Sequence, residues 1–151
     1  IYQSSQAVPD AIDAYLKALE LWQSIAPAKE RTMRTRLWRL YIAEGRFEEA
    51  QNVTNITVGI YTPQPDAVVT GIVDVQGLVM HPQFTKWQLD LLVNGDANSA
   101  TSVRVAKSQR WGSLFLMNTT AYPNGNHVLR LRIVRADSNY DEYFVPISIN
   151  N

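Results

Sequence analysis

The sequence predicts an α+β chain with its two kinds of structure segregated: a short all-α helical hairpin, then an antiparallel β-sandwich of about seven strands. Three observations predict it. Up to Asn52 the chain is rich in Ala, Leu, Glu, Arg and Lys, which are strong helix formers. Beyond Thr57 it turns to Val, Ile, Thr, Gly, Asn and Tyr, which favour strands and turns. At the same place the apolar period drops from that of a helix to two. The change falls within Asn52–Thr57, and it divides the chain into a helical segment, 1–54, and a sandwich, 55–151.

The first helix should start at Val8-Pro9-Asp10, because proline suits a first turn and Asp10 and Asp13 complement the helix dipole. Ile12, Tyr15, Leu16, Leu19 and Trp22 form its apolar stripe. Ala26-Pro27 breaks it. A second helix follows, with Leu37, Leu40, Tyr41 and Met33 on its buried side, and Gly45 supplies its C-cap. Phe47-Glu48-Glu49-Ala50 opens a short third helix, which the β-branched run after Val53 ends.

The strands follow from alternation. Thr57–Tyr61 is the first, and Val69, Val73, Val75 and Val79 share a face of a long second one interrupted by Gly71 and Gly77. Trp87, Leu89, Leu91 and Val93 alternate with Lys86, Gln88 and Asp90. Val103 with Val105 and Leu114 with Leu116 make two shorter strands. Leu129, Leu131 and Ile133 alternate with Arg130 and Arg132, and Tyr143, Val145, Ile147 and Ile149 close the chain. Proline, asparagine and glycine turns separate these runs. Such alternation implies antiparallel sheets with one wet face each.

Composition narrows the function. Lys+Arg and Asp+Glu are both 14, so the formal net charge is zero, which gives no electrostatic case for nucleic acid. The chain has no cysteine, which removes disulfides, thiolate metal ligands and thiol nucleophiles together. It begins at Ile1 rather than Met, which reads as a mature or partial product whose leader or membrane anchor would lie upstream.

Two resemblances extend this reading. Gly45-Arg46-Phe47-Glu48-Glu49-Ala50, with Leu37 and Tyr41 upstream and the Ala11…Tyr15…Ala18 pattern of the first helix, resembles tetratricopeptide repeats. Ala11 and Ala50 are 39 residues apart (50 − 11), against a repeat period of about 34. Only about one and a half repeats are present, where arrays need about three. Val69–Gly77, His81-Pro82-Gln83-Phe84-Thr85-Lys86-Trp87-Gln88-Leu89 and Pro123-Asn124-Gly125-Asn126-His127-Val128-Leu129-Arg130-Leu131-Arg132 resemble the immunoglobulin-like domains appended to bacterial surface and envelope proteins. In those domains a tyrosine stands where this chain has His127. The resemblance implies an immunoglobulin-like fold and an extracytoplasmic, cell-envelope setting.

Each candidate site residue also has an ordinary structural role. His81 and His127 are the only histidines and lie in separate turns without a second ligand at a metal spacing. Asp66, Asp74, Asp96 and Asp137 read as turn residues before they read as calcium ligands. The sequons at Asn52, Asn55 and Asn118 matter only where a glycosylation system is met. Trp87 reads as the core tryptophan, while Trp111 and Tyr122 are the candidates for stacking on a glycan. Lys29, Arg31, Arg34, Arg36 and Arg39 read as a solvated helix surface, or as a contact for an acidic partner or anionic lipid.

The expectation is a non-catalytic, extracytoplasmic interaction or scaffold module, a subunit or tail of a cell-envelope or membrane-associated assembly. It needs no cofactor and no metal and does not bind nucleic acid, and a membrane is met only through an anchor or a partner. Its partner surface would involve Leu16, Leu19, Trp22, Arg31, Arg34, Trp38 and Tyr41. The alternatives are a carbohydrate- or peptidoglycan-binding module using Trp111 and Tyr122, and an accessory domain of an enzyme encoded upstream.

Overall fold

The structure, a computed structural model, describes residues 7–22 and 27–151. The chain divides into two compact units, one up to Thr57 and one from Val58.

The first unit contains α1 (Ala7–Trp22), α2 (Pro27–Ala43) and α3 (Phe47–Thr54). The break expected at Ala26-Pro27 lies partly outside the described residues. Gly45 takes φ +70, and the Gly45 N–H reaches Ile42 O while the Arg46 N–H reaches Tyr41 O at 2.8 Å. This pair of bonds is a Schellman stop, which a glycine makes without Cβ strain. Asn55, also left-handed, ends α3. Val8, Ile12, Leu37, Trp38, Tyr41, Ala50 and Val53 are the buried apolar residues of this unit among those described. Trp38 and Tyr41 therefore belong to its interior; the sequence puts Tyr41 on the buried side of α2 and also names both residues for a partner surface. A helix stripe does not say which of its edges a neighbour covers, and here α3 extends the cover on α2.

The second unit is an immunoglobulin/fibronectin-like β-sandwich with eight strands: β1 (Gly59–Thr62), β2 (Ala67–Val69), β3 (Ile72–Val79), β4 (Phe84–Leu92), β5 (Ala100–Ala106), β6 (Arg110–Asn118), β7 (Gly125–Arg135) and β8 (Tyr140–Ile149). One sheet has the order β1-β3-β6, and the other β2-β8-β7-β4-β5. All pairs are antiparallel except β2 with β8. Thirteen buried residues form the core, among them Trp87, Leu89 and Leu91 of β4 and Leu129, Leu131 and Ile133 of β7. Trp87 is fully buried, and its indole N–H donates to Ser108 O at 3.0 Å.

Three expectations about strands change. The long run Val69–Val79 is two strands in different sheets, because Gly71, at φ +72, turns the chain from one sheet to the other. Leu114 and Leu116 do not share a face. Ser113 pairs with Gln76 and Phe115 with Val75, so Leu114 is the extra residue of a bulge. Leu114 and Met117 are buried, and Leu116 is 62% exposed. Val93 leaves the strand for a 3-10 turn, Val93–Gly95.

Candidate functional site

In the helical unit, Ala28, Arg31, Thr32, Thr35, Arg36 and Arg39 recur at helical spacing along one face of α2 and line a groove of about 460 Å³. The Thr32 and Thr35 hydroxyls donate to Ala28 O and Arg31 O of their own helix. The groove therefore offers three guanidinium groups and no carboxylate. Arg36 lies over the Tyr15 ring at 5.9 Å, a cation–π contact. Arg36 and Arg39 also line a smaller groove of about 250 Å³ whose other walls are Ala11, Tyr15 and Leu40. A basic trough and an apolar one thus share an edge.

The seven residues expected to meet a partner separate in the structure. Leu16 is 41% exposed, Leu19 is half-buried and Arg31 is exposed. Trp22 ends α1, and its side chain lies outside the described residues. Arg34 pairs with Glu30 at 3.0 Å and donates to Val53 O at 3.0 Å, tying α2 to the end of α3. Trp38 and Tyr41 are interior; Tyr41 lies under Arg46 at 4.9 Å, and burial pushes its phenol above the usual range. The sequence reading groups Arg31 with Arg34 on one face and sets Arg36 and Arg39 further round, whereas the groove brings Arg31 together with Arg36 and Arg39. The signal was spacing: 28, 31, 32, 35, 36 and 39 fall on one face, and 34 does not.

In the sandwich, the outward face of the five-stranded sheet carries a closed ionic network. Arg130, on β7, is buried, and its Nε and an amino group donate to Asp90 Oδ2 of β4 at 3.1 and 2.8 Å. Gln88 Nε2 donates to Asp90 Oδ1 at 2.7 Å. Arg132 Nε donates to Glu142 Oε2 of β8 at 2.8 Å, and Arg130 lies 3.9 Å from the same oxygen. The Glu142 hydrogen bond raises the Arg132 pKa further above its ordinary value. Tyr140 caps the row, with the Arg132 guanidinium 4.8 Å from its ring centroid. Phe144, opposite Arg130, is 54% exposed. The wet face expected of this sheet is thus partly closed, with Asp90 and Arg130 shielded by their own neighbours.

The glycan candidates do not form one surface. Trp111 lies near the start of β6, opposite Leu78, whereas Tyr122 follows the far end of that strand and packs against the core. Seven residues of strand, about 24 Å, separate Trp111 from Asn118 at that far end. The exposed aromatics are instead Tyr140 and Phe144. Alternation could have found them, since an inward Tyr143, Val145 and Ile147 puts 140, 142 and 144 outward.

Both histidines are engaged. His127 is buried; its Nδ1 accepts the Asn94 N–H at 3.0 Å, and its Nε2 donates to Pro123 O at 2.7 Å. The second bond reaches back four residues to the backbone, as the corner tyrosine of an immunoglobulin sandwich does. His81 Nδ1 accepts the Gln83 N–H at 3.0 Å, and its Nε2 lies 3.8 Å from Asp141. Asp96 and Asp137 cap their own turns by accepting from Asn98 and Asn139. Asp74 accepts from Ser113 and Gln76, which hold its carboxyl below the usual range. Asp66 sits in a left-handed turn. Among the described residues no three His, Asp or Glu side chains converge on a metal-sized site. Among them also, no helix is long and apolar enough to cross a membrane.

No family model and no curated protein matches the chain. Among solved structures, the chain is similar to an endo-beta-1,4-mannanase from Thermotoga petrophila, at 16% identity and a TM-score of 0.48 over 63% of this chain and 20% of that one. It is similar to the fibronectin(III)-like modules of Clostridium thermocellum CbhA, at 14% identity and a TM-score of 0.44 over 62% of this chain and 97% of that one. It is also similar to CopC from Methylosinus trichosporium OB3b, at 17% identity and a TM-score of 0.37 over 62% and 94%. The fold assignment rests on the strand order and core described above.

Proposed function

We propose that this chain is a non-catalytic interaction module, set outside the cytoplasm in a cell-envelope assembly, whose helical unit docks an acidic, amphipathic segment of a partner protein. The observation that carries the reading is the carboxylate-free face of α2, with Arg31, Arg36 and Arg39 lining one groove and an apolar groove adjoining it. Charge complementarity selects an acidic occupant. The apolar groove between α1 and α2 takes that occupant's hydrophobic anchor against Tyr15 and Leu40. An anionic membrane fits less well. Three arginines supply about 1 kcal/mol each at a lipid surface, and the apolar side of α2 is committed to Leu37, Trp38 and Tyr41 inside the unit. The engagement of both histidines by backbone N–H or C=O groups supports a non-catalytic role. The resemblance of the sandwich sequence to domains of bacterial surface proteins supports the setting.

Fluorescence anisotropy tests the reading, with a labelled peptide carrying leucines at i, i+4 spacing and glutamates between them. Binding should weaken with added salt and fall by about tenfold or more in Arg36→Glu/Arg39→Glu. Equal affinity for a lysine-substituted peptide, or no loss in the double variant, would refute it. Co-sedimentation with phosphatidylserine vesicles in place of peptide binding would assign the same arginines to lipid and overturn the protein partner.

A further inference from the structure

We infer that the outward face of the five-stranded sheet is a binding platform for an uncharged polysaccharide. The site is separate from the face of α2 and is built by different residues. Its axis is β8, which presents Tyr140, Glu142 and Phe144 on one side. The two rings stand four residues apart, about 13 Å along the strand. Arg132 and Arg130, on β7, lie beside Glu142, and Asp90 and Gln88 continue the row on β4. Tyr140 and Phe144 are 48% and 54% exposed, and the Arg132 guanidinium takes one face of the Tyr140 ring.

Charge decides the class of ligand. The row holds two guanidinium groups and two carboxylates, each already paired with the other kind. A polyanion or a polycation would gain nothing net there and would have to break those pairs. A neutral polyol breaks none. Its hydroxyls both donate and accept, so they can bridge the Glu142 carboxylate and the Arg132 guanidinium at the positions those groups already hold. The apolar C–H faces of its rings stack on Tyr140 and Phe144.

The arrangement also argues against a protein partner on this face. Protein interfaces have an apolar centre depleted of charge and a polar rim. Here the centre is ionic and the aromatics flank it. The fixed Arg–carboxylate geometry means that little side-chain freedom is lost when a hydroxyl arrives. β2 pairs with β8 only at Ile147–Ile149, so the Tyr140–Val145 stretch is an open edge among the described strands, along which an extended chain can lie.

Affinity electrophoresis of the full chain tests the inference, in gels containing hydroxyethylcellulose, galactomannan or xylan, with polygalacturonate and a sugar-free gel as references. Retardation is expected in at least one neutral gel and not in polygalacturonate. Tyr140→Ala and Phe144→Ala should each reduce it by about tenfold, with thermal unfolding unchanged because both rings are half exposed. Phe144→Trp should retain it. The docking variant Arg36→Glu/Arg39→Glu should be retarded like the parent, which separates this inference from the proposed protein contact. Retardation in none of the neutral gels, retardation by polygalacturonate alone, or full retardation in a Tyr140→Ala/Phe144→Ala variant with native unfolding would each overturn it.

Discussion

Arg130 and Arg36 are both arginines on the outward side of a packed element, and the two units treat them in opposite ways. In the sandwich, Arg130, Arg132 and Arg135 each face a carboxylate, and Arg130 is buried with it. On the groove face of α2, Arg31, Arg36 and Arg39 have no carboxylate partner among the described residues. A charge withdrawn from water needs its counterion, whereas an exposed one is solvated at little cost. The outward face of the five-stranded sheet thus uses its arginines within the sheet, and the groove face of α2 leaves Arg31, Arg36 and Arg39 open to an external anion.

The largest expected effect tests the buried half of this contrast. Asp90→Ala leaves the Arg130 guanidinium without its main partner in a site where its side chain is 8% exposed. We expect a loss of about 3–5 kcal/mol in urea unfolding, tempered by Glu142 at 3.9 Å. Arg36→Ala should change stability by no more than about 0.5 kcal/mol. Replacing both members of the pair, Asp90→Leu with Arg130→Met, should recover most of the loss, since the pair offsets its own desolvation. Equal losses in Asp90→Ala and Arg36→Ala would mean that the two arginines are not differently placed.

That contrast was only half legible in the sequence. Alternation in β4 and β7 put Trp87, Leu89, Leu129 and Leu131 inside, and all four are fully buried. Period two is a strong signal because a one-residue slip exposes the whole core. It assigns Asp90 and Arg130 to water for the same reason. Nothing local announces that a cross-strand pair will close over itself, because the register that brings β4 and β7 together is a tertiary fact. The bulge at Leu114 was hidden likewise: two leucines spaced by two residues imitate a regular strand, and only the partner register reveals the extra residue. In the helices, spacing gave α1 and α2 their apolar stripes but did not show how far α3 extends the cover on α2. Trp38 and Tyr41 therefore fall in the expected partner surface, although the stripe also puts Tyr41 on the buried side of α2. The two exposed rings of β8 lie within reach of the alternation, since the outward positions follow from the inward ones.

Two of the turns, one in each unit, are fixed differently. α2 stops on backbone bonds alone, through Gly45 and Arg46. The sandwich uses a side chain, with His127 bridging Asn94 of the turn after β4 and Pro123 of the turn before β7. His127→Phe fills much of the same space and loses both bonds. We expect a loss of about 1–3 kcal/mol, together with faster amide exchange at Asn94, while exchange in α1–α3 stays unchanged. Unaltered exchange at Asn94 would show that the turn is held without the imidazole.

The smallest expected effect concerns acid. Asp74 is held below its ordinary pKa of 3.8 by hydrogen bonds, first from Ser113 and then from Gln76. A depressed carboxyl binds its proton less readily in the folded state than in the unfolded one. Its stabilisation is therefore full above the unfolded value and disappears as the pH falls through the folded one. Glu49 of the helical unit is lowered too, by Arg46, but it lies at the surface, where water screens the pair. Ser113→Ala should cost less than about 1 kcal/mol at neutral pH, and the difference from the parent should shrink at acid pH as Asp74 takes up its proton. A urea-midpoint difference that is the same at both pH values would mean that Ser113 supports the strand pair β3–β6 and not the charge on Asp74.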